Sequence, residues 1–298
     1  MLNTKNNCFI SINSTGINRH KNKIFLINLI FENKKDEIFQ IFVDENNPLP
    51  SLELFKEKIS DYNLITFNGY SFDIPFINEF LLKNKLEIVQ NNNFDLYLFL
   101  KNFNFFKLDN YKLKNIYESL CKKKFELLDQ KFIIKLYKDY LKDNDSLLKD
   151  KLLEQGRLSI MSRYEIFESI KSILLNNSIN FNIYGLDYSV TAYSYKVTEN
   201  FINISLYNNL DEFYELSLAS DYYKITTKDN YLNLRYEIVK GYINEDTFAT
   251  CLVFPDYFNL REKYPNLKNN LIPIIINDNL DISILNNIIK YTLTKEII

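Results

Sequence analysis

The order of short apolar runs at the start of the chain limits the folds that it can adopt. Three runs of strand length come first, over Asn7–Asn13, Lys23–Glu32 and Glu37–Val43, with polar breaks between them. Pro48 and Pro50 then end the strand pattern, because proline cannot donate a hydrogen bond to a strand ladder. A helical pattern, a short buried strand and further helices follow. This order predicts an α/β domain that opens with three antiparallel strands.

The pattern changes near residue 180. Residues 95–176 carry apolar side chains at helical spacing, whereas later runs, such as Asn182–Val197, are rich in aromatic and β-branched residues. A chain of 298 residues is long enough for two domains. We therefore predict an α/β domain over residues 1–180 and a smaller, mostly antiparallel β domain over residues 181–298. The aromatic residues of the second domain either form a ligand-binding face or pack on the two sides of a small sheet; they include Tyr188, Tyr193, Tyr195, Tyr222, Tyr223, Tyr231 and Tyr236.

Composition argues against several kinds of site. The chain has one histidine, His20, and three widely spaced cysteines, Cys8, Cys121 and Cys251. We therefore expect no histidine- or cysteine-based metal site and no disulfide framework, and the cysteines favour a reducing, cytoplasmic location. Any bound metal has to be held by carboxylates, which suit Mg²⁺ or Mn²⁺. We expect no membrane association, because no apolar run reaches bilayer length and Met1–Cys8 lacks the apolar core of a signal peptide.

Charge is distributed unevenly along the chain. Its 31 lysines against five arginines, with abundant Asn, Ile, Tyr and Phe, are typical of an AT-rich genome of bacterial type. Residues 101–151 hold 13 lysines against 8 acidic residues and are interleaved with aromatic residues. Such a stretch can follow a phosphate backbone and stack unpaired bases, or it can be the solvated face of helices in a lysine-rich protein. Lysines are densest at residues 122–124, whereas residues 181–298 carry 10 basic and 15 acidic side chains.

The segment Leu64–Leu81, LITFNGYSFDIPFINEFL, carries the most specific pattern. It predicts a strand that ends at Asn68-Gly69, followed by Asp73 and by a helix that Pro75 opens. A carboxylate at the tip of a strand, facing a helix N-terminus, is a suitable ligand for a divalent cation, and the glycine permits close approach of the backbone to a ligand. The same position also suits a carboxylate that caps the helix. Asp73 is therefore either a metal ligand or a helix cap.

These residues resemble the second motif of the DEDD 3′–5′ exonucleases of the DnaQ-like superfamily. The pattern Asn68-Gly69-x-x-Phe72-Asp73-x-Pro75-Phe76 is most similar to YprB-like ribonuclease H-like proteins and to the proofreading domain of family B DNA polymerases. Cys8–Ile17 resembles the first strand of that superfamily, which reads F-D-I-E-T-T-G-L, and Asp95-Leu96 resembles an Asp-Leu pair found there. The resemblance covers roughly residues 7–176. It implies a ribonuclease H-like mixed sheet flanked by helices.

The resemblance also implies a metal site, and this chain departs from it. Members of the superfamily hold two metal ions on four carboxylates, and the metals activate water and stabilise the leaving oxygen. The second-motif aspartate is present as Asp73, but the first-motif aspartate and glutamate align with Ser11 and Asn13. The third motif aligns best with Leu152–Ser159, where its aspartate becomes Ser159. Three of the four expected carboxylates are thus replaced by neutral polar residues.

Three hypotheses follow. The first is an exonuclease-related protein without catalysis and without a cofactor, which binds single-stranded nucleic acid or a protein partner through the former substrate cleft. Its candidate nucleic-acid contacts are Asn68, Gly69, Lys122, Lys123 and Lys124. The second is an active Mg²⁺- or Mn²⁺-dependent nuclease in which Asp73 and Asp95 are ligands and displaced carboxylates, such as Asp150 or Glu154, complete the site. The third is a structural or assembly subunit without a role on nucleic acid.

Overall fold

A computed structural model describes residues 6–34, 37–105, 108–210, 214–255, 267–268 and 270–296. The chain divides into two compact units. The first comprises Met1–Lys101 and Leu108–Ser172, and the second comprises Asn102–Lys107 and Ile173–Ile298. In the described part of the chain, no helix is both long enough and apolar enough to cross a lipid bilayer.

The first unit contains the mixed sheet that the sequence predicts. Its strands are β1 (Asn7–Ser14), β2 (Ile24–Phe31), β3 (Ile38–Phe42), β4 (Asn63–Thr66) and β5 (Asn93–Asp95). They lie in the order β3-β2-β1-β4-β5, with β1, β2 and β3 antiparallel and with β4 and β5 parallel to β1. β1 and β2 are buried along almost their whole length, which explains why their sequences read as continuous apolar runs.

Helices cover both faces of this sheet. They are α1 (Leu49–Ile59), α2 (Asp73–Lys83), α3 (Leu96–Asn102), α4 (Leu113–Cys121), α5 (Gln130–Asp143) and α6 (Ser146–Asn176). Because side chains alternate along a strand, β1 serves two layers. Cys8, Ile10 and Ile12 pack in one core cluster with residues of α1 and α2. Phe9 faces the other way, and its ring makes edge contacts with Tyr164 and Phe167 of α6. Ser11 and Asn13, two and four residues after Phe9, therefore point towards the layer of α6.

The described residues of the second unit form an antiparallel sheet with one α-helix. Its strands are β6 (Ile179–Ile183), β7 (Leu186–Val197), β8 (Phe201–Asn208), β9 (Ser217–Ala219), β10 (Tyr223–Lys228), β11 (Tyr231–Asn244), β12 (Thr247–Val253), β13 (Leu271–Ile276) and β14 (Asn279–Leu280). The main path runs β14-β13-β12-β11-β8-β7-β6, and β10 pairs with both β11 and β9. The closing helix α7 (Ile282–Tyr291) contributes Leu285, Ile288 and Ile289 to the core of this unit. A π-helical turn over Thr292–Glu296 follows it.

Most of the aromatic residues singled out in the second domain lie in its core. Tyr188, Tyr193, Tyr223 and Tyr236 are buried, and Tyr195 and Tyr222 are partly buried against the same cluster. This arrangement is the two-sided sheet of the two alternatives and not a face of exposed rings. The three cysteines are free thiols, and Cys8 and Cys251 are buried.

Candidate functional site

The four positions that the resemblance aligns with the metal ligands of the superfamily all lie inside the first unit. Ser11 and Asn13 are on β1, Asp73 is the first residue of α2, and Ser159 is on α6. The exposed fraction is 0% for Ser11, 4% for Asn13, 1% for Asp73 and 7% for Ser159. A ligand in solution therefore has almost no access to these four side chains.

Asn28 joins the two positions on β1. It lies directly opposite Ser11 on β2, and its Nδ2 donates to Ser11 Oγ at 3.2 Å and to Asn13 Oδ1 at 3.1 Å. Its Oδ1 accepts a hydrogen bond of 2.8 Å from Gln40 Nε2, which also donates to the carbonyl of Leu153 on α6. Neutral amides and a hydroxyl thus satisfy one another at the two β1 positions that the motif resemblance aligns with carboxylates.

Helix α6 comes very close to the sheet at Gly156. A Cβ atom at this position would lie 2.3 Å from Asn28 Oδ1 and 2.6 Å from a methyl carbon of Leu26. Residues three and seven positions further along a helix lie on nearly the same face. Ser159 and Arg163 therefore point towards the same layer as Gly156.

Arg163 forms a buried ion pair with Asp73. Its Nη1 atom lies 3.4 Å from Asp73 Oδ2 and also donates to the backbone carbonyl of Ile10 on β1. The side chains are 10% and 1% exposed. Asp73 Oδ1 and Arg163 Nε make no hydrogen bond to the residues that the structure describes. The pair is therefore held by a single contact rather than by a two-pronged fork.

Two opposing effects act on the Asp73 carboxyl. Burial raises its pKa above the ordinary value, because a charged carboxylate loses its hydration inside the protein. The Arg163 guanidinium and the backbone amide of Ile12 act in the opposite direction and favour the charged form. Asp95 lies near enough for its charge to raise the pKa of Asp73 further. Burial is the largest of these effects, so the guanidinium compensates it only in part.

Asp73 does not cap the helix that it begins. The residue at the cap position of α2 is Phe72, and no side chain caps this helix terminus. The Asp73 carboxylate instead contacts the guanidinium of Arg163 on α6. The alternative of a helix cap is therefore wrong.

Asp95, the second carboxylate considered as a ligand, is occupied by backbone amides. Its Oδ1 accepts from the amides of Asn68 at 2.8 Å and Tyr97 at 3.0 Å, and more weakly from Leu98 at 3.4 Å. Its Oδ2 accepts from the amide of Tyr70 at 3.2 Å. Asp95 thus ties the first turn of α3 to the turn that follows β4. Both carboxylate oxygens of Asp95 therefore accept structural hydrogen bonds.

Asn68 and Gly69 belong to this turn and are not exposed contacts. Asn68 has a left-handed backbone, with φ of 58°, and donates its amide to Asp95. Gly69 is buried, and a Cβ there would lie 2.1 Å from Thr66 Oγ1, so only glycine fits. The pattern that resembles an exonuclease motif therefore has a strong structural role in this chain.

The three consecutive lysines lie on the surface after α4. Lys122 ends the helix with a left-handed backbone, with φ of 55°, and Lys123 pairs with Glu165 at 3.0 Å. Lys124 lines a surface groove that also contains acidic residues. Asp150 and Glu154, considered as replacement ligands, are exposed on α6, and Glu154 lies 3.8 Å from Arg157.

A comparison with protein families agrees with this fold. A family model described as the RNase_H superfamily matches residues 8–171, more than half of the chain. The chain belongs to the RNase H superfamily. In structure it is similar to the family B DNA polymerase from the hyperthermophilic archaeon Pyrobaculum calidifontis, with 12% identity and a TM-score of 0.47, over 56% of this chain and 24% of the polymerase chain. A comparison with the curated proteins found no match. The family match confirms the predicted ribonuclease H-like fold.

The metal ions that the superfamily implies do not fit the residues of this member. Within the described ranges, no group of three or more Asp, Glu, His or Cys side chains could hold a metal ion. Asp95 lies near Asp73, but backbone amides already occupy both of its oxygens, whereas Mg²⁺ demands several well-placed oxygen ligands. The Asp73 carboxylate already faces the guanidinium of Arg163, which repels a second cation.

The sequence reasoning missed Arg163 and Asn28, and one signal for Arg163 was available. Arg163 lies one helical turn after Ser159, on an otherwise apolar helix face that includes Ile160, Ile166 and Phe167. In a chain with 31 lysines and five arginines, an arginine in such a position is unusual. Nothing in the sequence distinguishes Asn28 from the many other asparagines, because its role depends on the register of β1 against β2.

Proposed function

We propose that this RNase H superfamily member has no metal-dependent phosphodiester hydrolysis and acts by binding. The observation that carries the proposal is the buried pair of Arg163 with Asp73, the one expected metal ligand that the chain retains. The superfamily chemistry, as the resemblance implies it, needs cations with an open coordination position for water. A guanidinium remains protonated and is a hydrogen-bond donor without such a position. It supplies the positive charge that Asp73 requires and cannot activate water.

The charge balance points in the same direction. Two divalent cations bring four positive charges, and Asp73 offers one negative charge that Arg163 already compensates. The hydroxyl of Ser11 and the amide of Asn13 carry no charge, and Asn28 holds both of them. Divalent cations, above all Mg²⁺, give up their waters reluctantly in such a site.

The ligand that we propose is single-stranded nucleic acid, with a protein partner as the alternative. The buried polar cluster is closed to solvent, so contacts have to come from exposed side chains outside it. Helices α4 and α5 and the loop between them supply exposed lysines, namely Lys112, Lys114, Lys122, Lys123, Lys124, Lys131, Lys135, Lys138 and Lys142. Lysines spaced along one surface can follow a phosphate backbone, and their contribution weakens with salt. The three free thiols favour a reducing cytoplasm as the place of action.

A nuclease assay tests the loss of catalysis. The full chain is incubated with end-labelled single-stranded DNA and RNA in Mg²⁺ and then in Mn²⁺, beside an Asp73→Ala variant. We expect no degradation above the level of the variant, because no cation is held at the site. Degradation by the wild-type chain that disappears in Asp73→Ala would overturn the proposal. Equal activity in both preparations would indicate a contaminating nuclease and leave the expectation of a silent site intact.

A further inference from the structure

A row of basic side chains crosses the sheet of the second unit. Lys196 on β7 lies opposite Asn203 on β8, Asn203 lies opposite Arg235 on β11, and Arg235 lies opposite Lys224 on β10. Directly opposite residues on neighbouring strands point to the same face. These four residues, called the basic row below, therefore project from one face and span about 14 Å across four strands.

The basic row lies on the solvent face of the sheet. The residues next to its members along the strands point into the core and are buried; they include Ile202, Ile204, Tyr223, Ile225, Leu234 and Tyr236. Lys196, Lys224 and Arg235 are exposed, and Asn203 is half-buried between them. None of the three cations forms an ion pair with the residues that the structure describes.

This placement of charge opposes the stability of the sheet. Like charges directly opposite on neighbouring strands are destabilising, and Lys224 and Arg235 form such a pair. Acidic residues are plentiful, since residues 181–298 carry 15 acidic against 10 basic side chains. Cations that face one another and form no ion pair indicate a surface whose repulsion an anionic ligand relieves.

An aromatic ring adjoins the basic row. The guanidinium carbon of Arg235 lies 3.5 Å from the centre of the Phe201 ring, and the two side chains line a surface groove of about 390 Å³ together with Tyr222 and Lys224. Both rings are half-buried. Guanidinium groups and aromatic rings can hold unpaired bases, while lysines hold phosphates. Next to the row lies a line of neutral hydrogen-bonding groups, where Ser205 Oγ and Asn233 Oδ1 are 2.8 Å apart.

Two acidic residues limit the basic surface on one side. Asp221 and Glu237 line the same groove, and Glu237 lies opposite Phe201 and two residues after Arg235. Neither carboxylate is within ion-pair distance of Lys224 or Arg235. The carboxylate of Glu237 therefore reduces the positive potential without neutralising a particular cation, and its removal is expected to strengthen the binding of an anion.

We propose that the basic row is a contact surface for single-stranded nucleic acid, with phosphates on Lys196, Arg235 and Lys224 and a base against Phe201 or Tyr222. The choice of nucleic acid as ligand rests on the proposed function, whereas the surface lies in the second unit, outside the superfamily match. Acidic peptides share the charge but lack the stacking bases that the Arg235–Phe201 pair and Tyr222 suit. The second unit thereby acquires a binding role of its own.

Fluorescence anisotropy of a labelled oligothymidylate with the full chain, read across a salt series, tests the proposal. We expect a Lys224→Ala/Arg235→Ala variant to bind about tenfold more weakly or worse, with a salt slope lower by about one for each phosphate contact removed. Arg235→Lys keeps the charge but loses the planar stacking group. Its affinity is therefore expected to lie between that of the wild type and that of the double variant. Glu237→Gln is expected to bind more tightly than the wild type. The three substituted side chains, Lys224, Arg235 and Glu237, lie on the solvent face, and circular dichroism checks that each variant folds.

A Lys122→Ala/Lys124→Ala variant in the first unit separates the possible results. Binding that depends on this pair and is indifferent to Lys224 and Arg235 would overturn the basic row as a contact and leave the proposed function standing. Absence of wild-type binding at low salt would overturn both. Binding of polyglutamate that is as tight as that of the oligonucleotide and equally sensitive to the basic-row variants would overturn the assignment to nucleic acid.

Discussion

The carboxyl group of Asp73 is almost completely buried. Its neighbour Arg163 is almost as deeply buried, and each of the two has a polar atom without a hydrogen-bond partner among the described residues. Removing one member of a buried ion pair leaves an uncompensated charge, which costs far more than replacing both members by neutral groups. The stability of the first unit is therefore expected to depend on these two residues jointly.

Substitution of Arg163→Met tests this dependence. We expect a loss of about 3–5 kcal/mol in the free energy of unfolding at neutral pH, because the buried carboxylate loses its cation. The double variant Asp73→Asn/Arg163→Met is expected to recover most of the loss. Urea denaturation of both variants beside the wild type measures the difference. A single variant as stable as the wild type would contradict the role assigned to the pair.

The loss of unfolding free energy caused by Arg163→Met should also increase with pH. The pKa of Asp73 is raised in the folded chain, so the folded state binds the proton more tightly than the unfolded state does. Asp73 therefore contributes most stability below its unfolded pKa, and this contribution falls as pH rises towards the folded value. Without Arg163 the folded pKa rises further, and the fall continues to higher pH. Unfolding free energies of the variant and the wild type should thus differ less at pH 4 than at pH 7, and a constant difference would contradict this account.

Gly156 provides an independent test of the close approach of α6 to β2. Helix propensity alone predicts that Gly156→Ala stabilises the chain, because glycine in a helix interior costs about 1 kcal/mol relative to alanine. The structure predicts a net loss of about 1–3 kcal/mol, since the new methyl group overlaps Asn28 and Leu26. Gly241→Ala on β11 is the control for the added methyl group, because no atom of the described residues lies within 4 Å of a Cβ there. Thermal melts in which Gly156→Ala unfolds at a higher temperature than Gly241→Ala would contradict the close contact at Gly156.

The sequence allows part of this site to be predicted. The neutral residues at Ser11, Asn13 and Ser159 follow from a motif resemblance, because the motif ties residue type to position along the chain. The sequence does not predict that Arg163 is the partner of Asp73. The two residues are 90 positions apart, and only the packing of α6 brings them together. Long-range pairing of this kind depends on helix orientation, which local patterns do not encode.

At the scale of elements, the turn after β4 shows how one carboxylate organises two segments. Asp95 ends β5 and accepts amides from both the Asn68–Tyr70 turn and the first turn of α3. Such charge-assisted hydrogen bonds are roughly twice as strong as neutral ones. Asp95 therefore fixes the connection that places Asp73 at the start of α2.

Asp95→Ala is expected to destabilise the chain by about 2 kcal/mol or more, because several partly buried amides lose their acceptor. The control is Asp129→Ala, which removes a cap of α5 that accepts one amide, from Lys131 at 2.9 Å. Its expected cost is about 1 kcal/mol. Chemical denaturation with and without EDTA measures both. A destabilisation by EDTA of the wild type that is absent from Asp95→Ala would show instead that Asp95 holds a metal.

Element types were easier to predict than element boundaries. The strands β1, β2 and β3 follow from apolar runs bounded by polar residues. The run Asn182–Val197, in contrast, contains two strands, because Tyr184 and Gly185 adopt left-handed backbones and turn the chain back on itself. The sequence does not predict this turn, because Tyr184 occupies its first position, where turns of this kind usually carry Asn, Asp or Gly. Helix α2 likewise begins at Asp73, two residues before Pro75.

At the scale of the whole molecule, the two units differ in where they place polar chemistry. The first unit buries its polar cluster beneath α6 and closes it with an internal cation. The second unit exposes cations in a row on the solvent face of its sheet. Patterns of apolar residues separate the two regions of the chain. The basic row becomes visible only with the strand register, because its members are separated by up to 39 positions in the sequence.

The central claim is that Arg163 takes the place of the metal ions at Asp73. Titration of the full wild-type chain with Mn²⁺, with free Mn²⁺ measured by electron paramagnetic resonance, tests it most directly, with Asp73→Ala as the matched control. We expect the two proteins to give the same titration curve, since the buried carboxylate is already paired and the described residues offer no group of three or more metal-ligating side chains around it. A Mn²⁺ ion bound by the wild type and lost in Asp73→Ala would contradict the claim.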